Sequence, residues 1–167
     1  MKIKPNTIVV TGGLGFIGSR FIKYVYDNTP HNIINVDKVT YAGNHDRIDE
    51  SIRLDADRYR FVQMDINDNI CEYEDIFEAE YVVNFAAESH VDNSIADGSP
   101  FIKSNVMGVF NLLELFKDAL YLKKFVQIST DEVYGDMEDY RKPSHATESF
   151  PLKPSSYYSA SKASADL

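Results

Sequence analysis

The chain is poor in three things, and each shortage excludes a class of protein. Its 167 residues hold one cysteine, Cys71, so it has neither an internal disulfide nor a cysteine-built metal cluster, and it fits a reducing compartment. Basic side chains are scarce: 17 lysines and arginines against 26 acidic residues leave a formal charge of −9. A protein that gathers phosphate backbones carries the opposite balance, a basic stripe. Long apolar runs are missing as well. After Lys2 and Lys4 the run Ile8-Val9-Val10 is cut by glycines, far short of a signal or a membrane-spanning segment. No repeat and no low-complexity tract is present. These absences predict a cytoplasmic protein with no nucleic-acid and no membrane partner, in which any anionic ligand is held by a local device.

The apolar share of 44% suits a single globular domain with a real core. Short β-rich runs at Thr7 to Thr11, Asn32 to Val36, Arg60 to Met64, Tyr81 to Phe85 and Phe125 to Thr130 alternate with helical stretches. That alternation predicts an α/β fold, a doubly wound parallel sheet with crossover helices of the Rossmann type. Phe16 to Asp27 reads as the first helix, with Phe16, Phe21, Ile22 and Val25 at helical spacing. Ser99-Pro100 reads as a cap and first turn, opening a long helix through Leu120. Its stripe of Phe101, Val109, Leu112, Leu113, Phe116 and Leu120 predicts packing on the sheet. From Gly135 to Ser156, with Pro143, Pro151 and Pro154, the sequence reads as a long ordered loop leading into a final helix that the chain enters for barely two turns.

Four motifs carry chemistry. Between the first strand and the first helix stands Thr11-Gly12-Gly13-Leu14-Gly15-Phe16-Ile17-Gly18. Gly12, Gly15 and Gly18 stand three apart, and Gly13, Gly15 and Gly18 also satisfy G-x-G-x-x-G, the turn that lets a pyrophosphate approach a helix N-terminus. About twenty residues on, Asp37 ends the second strand, where an acid accepts hydrogen bonds from the adenosine ribose and repels a 2′-phosphate. NAD is therefore expected over NADP, with Lys38 the one neighbouring cation that softens the preference. A turn residue at a strand end is the plainer reading of Asp37, and more so of Asp65, which is expected near the adenine edge.

Ser129 and Thr130 read as the end of the fifth strand, followed at once by Asp131 and Glu132. Adjacent carboxyl groups in a closed, partly dry site separate in pKa, one serving as acid and the other as base, a pairing that dehydration needs. In a chain this acidic, a solvated loop is the alternative. Tyr158 and Lys162 lie four apart, hence on one helical face, where an ammonium and a bound nicotinamide cation favour the phenolate. Tyr157 is five residues from the lysine and points elsewhere. An exposed aromatic beside an unrelated lysine is the bland alternative for so short a pattern.

Taken together these residues resemble the extended short-chain dehydrogenase/reductase family, and within it the nucleotide-sugar 4,6-dehydratases. Val36 to Asn44, Phe85-Ala86-Ala87-Glu88-Ser89-His90-Val91-Asp92, Ser129 to Gly135 and Tyr158-Ser159-Ala160-Ser161-Lys162 all carry the likeness. The resemblance implies NAD as a cofactor that stays bound and a nucleotide sugar as substrate, dTDP-glucose first and UDP-glucose as its rival. The Thr-Asp-Glu triplet makes a 4-epimerase the weaker reading; a non-catalytic NAD-binding protein is a third. It implies that Tyr158 takes the sugar 4-hydroxyl proton, Glu132 removes the C5 proton, Asp131 protonates the departing 6-hydroxyl and Thr130 holds the 4-oxygen. Ser89 is implied at the substrate, and Lys162 at the nicotinamide ribose, tuning Tyr158. Gly12, Gly15, Phe16, Ile17, Gly18, Asp37, Lys38, Thr40, Asp65, Ile66, Phe85, Ala86, Ala87, Ser104 and Ser129 are implied as further cofactor contacts. Ser104 stands where the family often has threonine, and His90 is given a structural role beside the pocket. Members run to about twice this length, so residues 1–167 are expected to be the NAD-binding domain of a truncated form that lacks the C-terminal substrate lobe and turns over poorly. They commonly form homodimers, through the helix after Pro100 and the helix bearing Tyr158.

Overall fold

A computed structural model of the chain describes residues 6–68, 74–135 and 146–167. Lys2, Lys4, Cys71, Pro143 and the middle of the expected 135–156 loop lie outside these residues. In chain order the elements are β1 (Thr7–Thr11), α1 (Phe16–Asn28), β2 (Asn32–Asp37), α2 (Glu50–Arg53), β3 (Tyr59–Gln63), β4 (Tyr81–Asn84), α3 (Val91–Ala96), α4 (Ser99–Phe101), a π-helical segment Ile102–Met107, α5 (Gly108–Phe116), β5 (Lys124–Gln127) and α6 (Tyr157–Asp166). Short 3₁₀ turns stand at His45–Arg47, Glu74–Glu78 and Asp131–Tyr134. The chain divides into two compact units, Met1–Ala86 with Gly108–Ile128 and Ala87–Met107 with Ser129–Leu167.

The first unit is built on a five-stranded sheet of order β3-β2-β1-β4-β5. All four pairings are parallel, with Val9 beside both Ile34 and Val82 and Thr11 beside both Val36 and Asn84. Strand side chains alternate between faces. Ile8, Val10, Ile33 and Val83 pack with Ile22 and Val25 of α1 and with Ile48 and Ile52 around α2. Val9, Ile34, Val36, Val62 and Val82 pack on the other side with Ile76 and with Leu112 and Phe116 of α5. Helices therefore cover both faces, as the run of buried apolar strands predicts. Each such side chain, fully buried, contributes about 1.5–3 kcal/mol.

In the second unit α6 packs against α3 and the π-helical segment. It starts on a reciprocal cap: the Ser156 hydroxyl accepts from the Ser159 N–H at 3.0 Å while the Ser159 hydroxyl accepts from the Ser156 N–H at 2.8 Å. Phe101 meets the Tyr158 ring edge-on at 6.3 Å between centroids.

Three expectations need correction. The fifth strand ends at Gln127, so Ser129 and Thr130 follow it, and Thr130 instead caps the Asp131–Tyr134 turn. The helix from Ser99 is not one uninterrupted α-helix to Leu120, because residues 102–107 take the wider π form and α5 stops at Phe116. With that change of pitch the predicted stripe fails at its end: Leu113 is exposed and Leu120 is 91% exposed.

Candidate active site

The glycine turn sits in the first unit, at the carboxyl ends of β1 and β4 where the strand order reverses, the position open α/β sheets give to ligands. Gly12 has φ +69°, and a Cβ there would stand 2.6 Å from the Ala86 nitrogen. A Cβ on Gly18 would stand 2.5 Å from the Gly12 carbonyl oxygen. Only hydrogen fits at either place, so the turn lies flat against the Phe85-Ala86 backbone and hands the chain directly to α1. Gly15 is the N-cap of α1 and no side chain caps it, while Phe16 and Ile17 are exposed in the first turn. A helix beginning this way offers backbone N–H groups and the positive end of its dipole to an anion.

Asp37 is 9% exposed. Its two oxygens accept from the Leu14 N–H at 3.0 Å and the Val39 N–H at 2.8 Å, so it fixes the glycine turn as well as the strand end. Lys38 pairs with Asp65 at 3.6 Å. Asp65 also accepts from the Asn67 N–H at 3.0 Å and the Asn67 amide at 2.9 Å, and these bonds with Lys38 hold its carboxyl below the usual range although burial pushes it up. These contacts fit the turn reading of both acids. The Thr40 hydroxyl accepts from the Ala42 N–H at 3.4 Å. Ile66 is buried in the core, facing Gly108. Phe85 packs its ring on Phe21 at 5.3 Å, and Ala86 is half-buried.

Sequence reasoning missed a polar row beneath this turn. The Thr11 hydroxyl donates to Asn84 Oδ1, which also accepts from the Ala86 N–H at 3.1 Å, and Asn84 Nδ2 donates to Gln127 Oε1 at 2.7 Å. The row ties the ends of β1, β4 and β5 and sets the backbone that Gly12 touches. Its signal was a buried asparagine interrupting Tyr81-Val82-Val83. Arg47 was missed too; its Nη1 donates to the Leu14 carbonyl at 2.9 Å and to the Ala42 carbonyl, lashing the segment after β2 to the glycine turn.

The residues expected to do acid/base work sit in the second unit. Tyr158 is buried, and burial pushes its phenol above the ordinary value. A hydrogen bond from Thr130 works the other way, and the carboxylates of Glu132 and Asp131 add to the rise. Thr130, Asp131 and Glu132 therefore all bear on the Tyr158 phenol. Asp131 and Glu132 are exposed, where a closed and partly dry pair was expected. Burial lowers the Lys162 ammonium and Asp166 opposes that fall, while Asp166 also accepts from the Ser129 hydroxyl. Tyr157 is 60% exposed.

Ser89, Ala87 and His90 are exposed, and the His90 carbonyl accepts the Ser94 N–H at the start of α3. Ser104 is buried in the π-helical segment beside Asn105, a second asparagine the sequence reading passed over. Asn105 stands four residues from Phe101 and four from Val109, a polar residue on the buried stripe, and that was the signal available.

A 3-2-1-4-5 parallel sheet with a glycine turn after its first strand, together with a helix carrying Tyr-x-x-x-Lys, defines a Rossmann-type domain of the extended short-chain dehydrogenase/reductase class. Within that class the chain belongs to the family described as GDP-mannose 4,6 dehydratase, whose model matches residues 9–167. It is 46% identical over 160 residues to the low-salt glycan biosynthesis protein Agl12 of Haloferax volcanii, covering 96% of this chain and 49% of that protein. It is 45% identical to dTDP-glucose 4,6-dehydratase of Neisseria meningitidis, covering 95% and 46%. The structure of a double mutant of DesIV, a dTDP-glucose 4,6-dehydratase from Streptomyces venezuelae with NAD and DAU bound, superposes with a TM-score of 0.85 at 40% identity, covering 95% of this chain and 49% of that one. The chain spans about half the length of the curated relatives it matches.

Proposed function

We propose that the chain supplies the cofactor-binding and acid/base portion of an NAD-dependent nucleotide-sugar 4,6-dehydratase acting on dTDP-glucose. The observation that carries the reading is the gathering of Thr130, Asp131 and Glu132 about the Tyr158 phenol. A dehydrogenase alone has use for the tyrosine and threonine; the two added carboxyl groups supply the acid and base of an elimination. The first unit fits a dinucleotide, with a turn that a single Cβ would fill, an uncapped helix start for the pyrophosphate and Asp37 for the ribose hydroxyls.

A bound NAD would supply the hydride acceptor for the sugar C4 and, once reduced, the hydride donor for C6. The chain's own groups handle the protons. Tyr158 accepts the 4-hydroxyl proton, and Thr130 hydrogen-bonds the same oxygen. Oxidation at C4 acidifies the C5 proton, which Glu132 removes. Asp131 protonates the departing 6-hydroxyl, and water leaves from C5 and C6. Burial raises the Tyr158 phenol, and the Thr130 hydrogen bond opposes that rise, so a nearby positive charge would favour Tyr158 as base. Lys162 holds the nicotinamide ribose. These residue roles, the assignment of residues 1–167 to one NAD-binding domain, and a homodimer are parts of the proposal. For the dimer the proposed contact is a groove of about 680 Å³ in which Ile95, Ile102, Met107 and Tyr157 stand among Asp97, Ser99 and Lys103. UDP-glucose or another nucleotide sugar is the second reading, since the relatives include Agl12 beside the dTDP-glucose enzymes.

The test is turnover by this chain and by any longer form of it with NAD and dTDP-glucose or UDP-glucose, read as the alkali absorbance of a 4-keto-6-deoxy sugar. Product from dTDP-glucose and its loss in Tyr158→Phe, with NAD still bound, are the expected results. Product from UDP-glucose alone reassigns the substrate. No product from either, with NAD shown to bind, removes the glucose assignment.

A further inference from the structure

Ser129 stands just past the end of β5, and its hydroxyl donates to the carboxylate of Asp166, 37 residues on. Asp166 lies on α6 four residues beyond Lys162, so the two share a helical face one turn apart. Lys162 is 3% exposed, and a buried ammonium is costly unless an anion offsets its lost hydration. We propose that Asp166, fixed by the Ser129 hydroxyl, is a positioning residue for Lys162, holding a negative charge one helical turn from the ammonium of the proposed ribose contact. Burial pushes that ammonium below its ordinary value, and Asp166 opposes the fall.

Each part of the arrangement has a chemical use. A charged lysine offers three N–H donors, whereas the neutral amine loses one donor and the charge, so a ribose contact at Lys162 gains from an anion that keeps the proton in place. That anion acts steadily only if it stays put. Asp166 is exposed, and the Ser129 hydroxyl selects one rotamer for a side chain that would otherwise turn among several. The hydroxyl has a single proton and gives it to Asp166, so toward any other group Ser129 offers lone pairs alone. Ser129, expected at the cofactor, thus reaches the site through the carboxylate. The elements packed against α6 carry other titratable groups: Asp92 on α3, Lys103 in the π-helical segment, and Asp131, Glu132 and Tyr134 in the 3₁₀ turn after β5. Of these, Asp131 and Glu132 bear on the Tyr158 phenol, while Asp166 bears on the Lys162 ammonium.

The inference rests on Lys162 as the proposed ribose contact, and its first test uses neither substrate nor cofactor, so that the two can fail separately. The whole chain, labelled with 13C at the lysine ε carbon, is titrated by NMR, with Lys162→Arg identifying the resonance. Asp166→Asn keeps the shape and an acceptor for Ser129 but removes the charge, and its Lys162 titration is expected at lower pH than in the unchanged chain. Ser129→Ala keeps the charge and releases the side chain; it is expected to move the titration the same way by less. Asp92→Asn, which removes an exposed carboxylate from α3, is expected to leave it in place. All three variants keep the circular dichroism of the folded chain. An unmoved Lys162 titration in Asp166→Asn overturns the proposal, as does an equal fall in Asp92→Asn. Where Asp166→Asn fails to fold, an unmoved titration in Ser129→Ala overturns it. In a form that turns over, Asp166→Asn brings the alkaline fall of kcat to lower pH and reduces kcat at about pH 9 about twofold to fivefold, the scale of a partly exposed charge pair, with KM for the sugar within about twofold. An alkaline limb in its original place also overturns the proposal. A shifted Lys162 titration with no turnover in any form removes the proposed reaction and leaves the role of the carboxylate standing.

Discussion

Lys162 shows how a single side chain at a site can work against the fold that carries it. Its ammonium is buried and pushed below its ordinary value, so the folded state holds the charge at a cost wherever the lysine is protonated. The sign follows from proton counts: between the lowered folded value and about 10.4 the unfolded chain binds more protons, and stability rises with pH across that window. Lys162→Met is therefore expected to melt higher than the unchanged chain at pH 7, with the gap closing toward pH 10, while any turnover is lost. Equal melting temperatures at pH 7 would contradict this. Lys38 illustrates the opposite case, a charge held in check. Its partner Asp65 stands 3.6 Å away, which keeps the ammonium from a 2′-phosphate. Asp65→Asn is expected to shift the ratio of NADP to NAD affinity about threefold to fivefold toward NADP, the scale of a partly exposed ion pair. Adding Lys38→Met should cancel the gain. Calorimetric titration with both dinucleotides decides it.

At the scale of elements, the turn between β1 and α1 carries the strongest prediction. Gly12→Ala places a Cβ at φ +69° and 2.6 Å from the Ala86 nitrogen, and neither backbone is free to move, since Asn84 holds Ala86 from the far side. Strain and crowding together cost about 2–4 kcal/mol. The expected result is a lower melting temperature and NAD affinity reduced about tenfold or more; unchanged binding would count against the turn as a cofactor site. The first four strands and α1 were legible because each has a period, a length and a punctuating glycine or polar residue. The fifth strand was drawn too long because Ile128 continues its apolar pattern, although the last paired residue is Gln127, opposite Asn84. The π-helical segment left no trace in spacing, since a single widened turn alters which residues face inward without changing composition. The short α2 and α3 and the 3₁₀ turns were missed for a related reason: four to six residues fill less than two turns, too few for any period to register. Within the candidate site, the residues proposed to meet ligand were readable from motif, whereas those whose hydrogen bonds hold the neighbouring backbone, Asn84, Asn105 and Arg47, were not. Each bonds at least one backbone group, which carries no sequence signature.

For the whole molecule the balance lies between an acidic surface and an open sheet. Among the described residues β5 pairs with β4 alone, and Val126 on it is 37% exposed, with Tyr121 and Leu120 exposed just before it. An edge strand of this kind is a template for pairing between copies, opposed here by mutual repulsion at a charge of −9. Light scattering of the eluting chain should therefore show association that grows with concentration and with added salt, and Val126→Lys should suppress it. A monomer under all these conditions would refute the edge as a contact. The strand order has a consequence of another kind, in time. β1 is the central strand and is synthesised first; its β2 partner follows at once, but Thr11 meets Asn84 only after 73 further residues. At a synthesis rate of about 5–20 residues per second, Ile8, Val9 and Val10 wait about 4–15 s on the ribosome with one edge unpaired. The apolar strand on which the cofactor turn is built is thus the segment of the nascent chain most in need of protection.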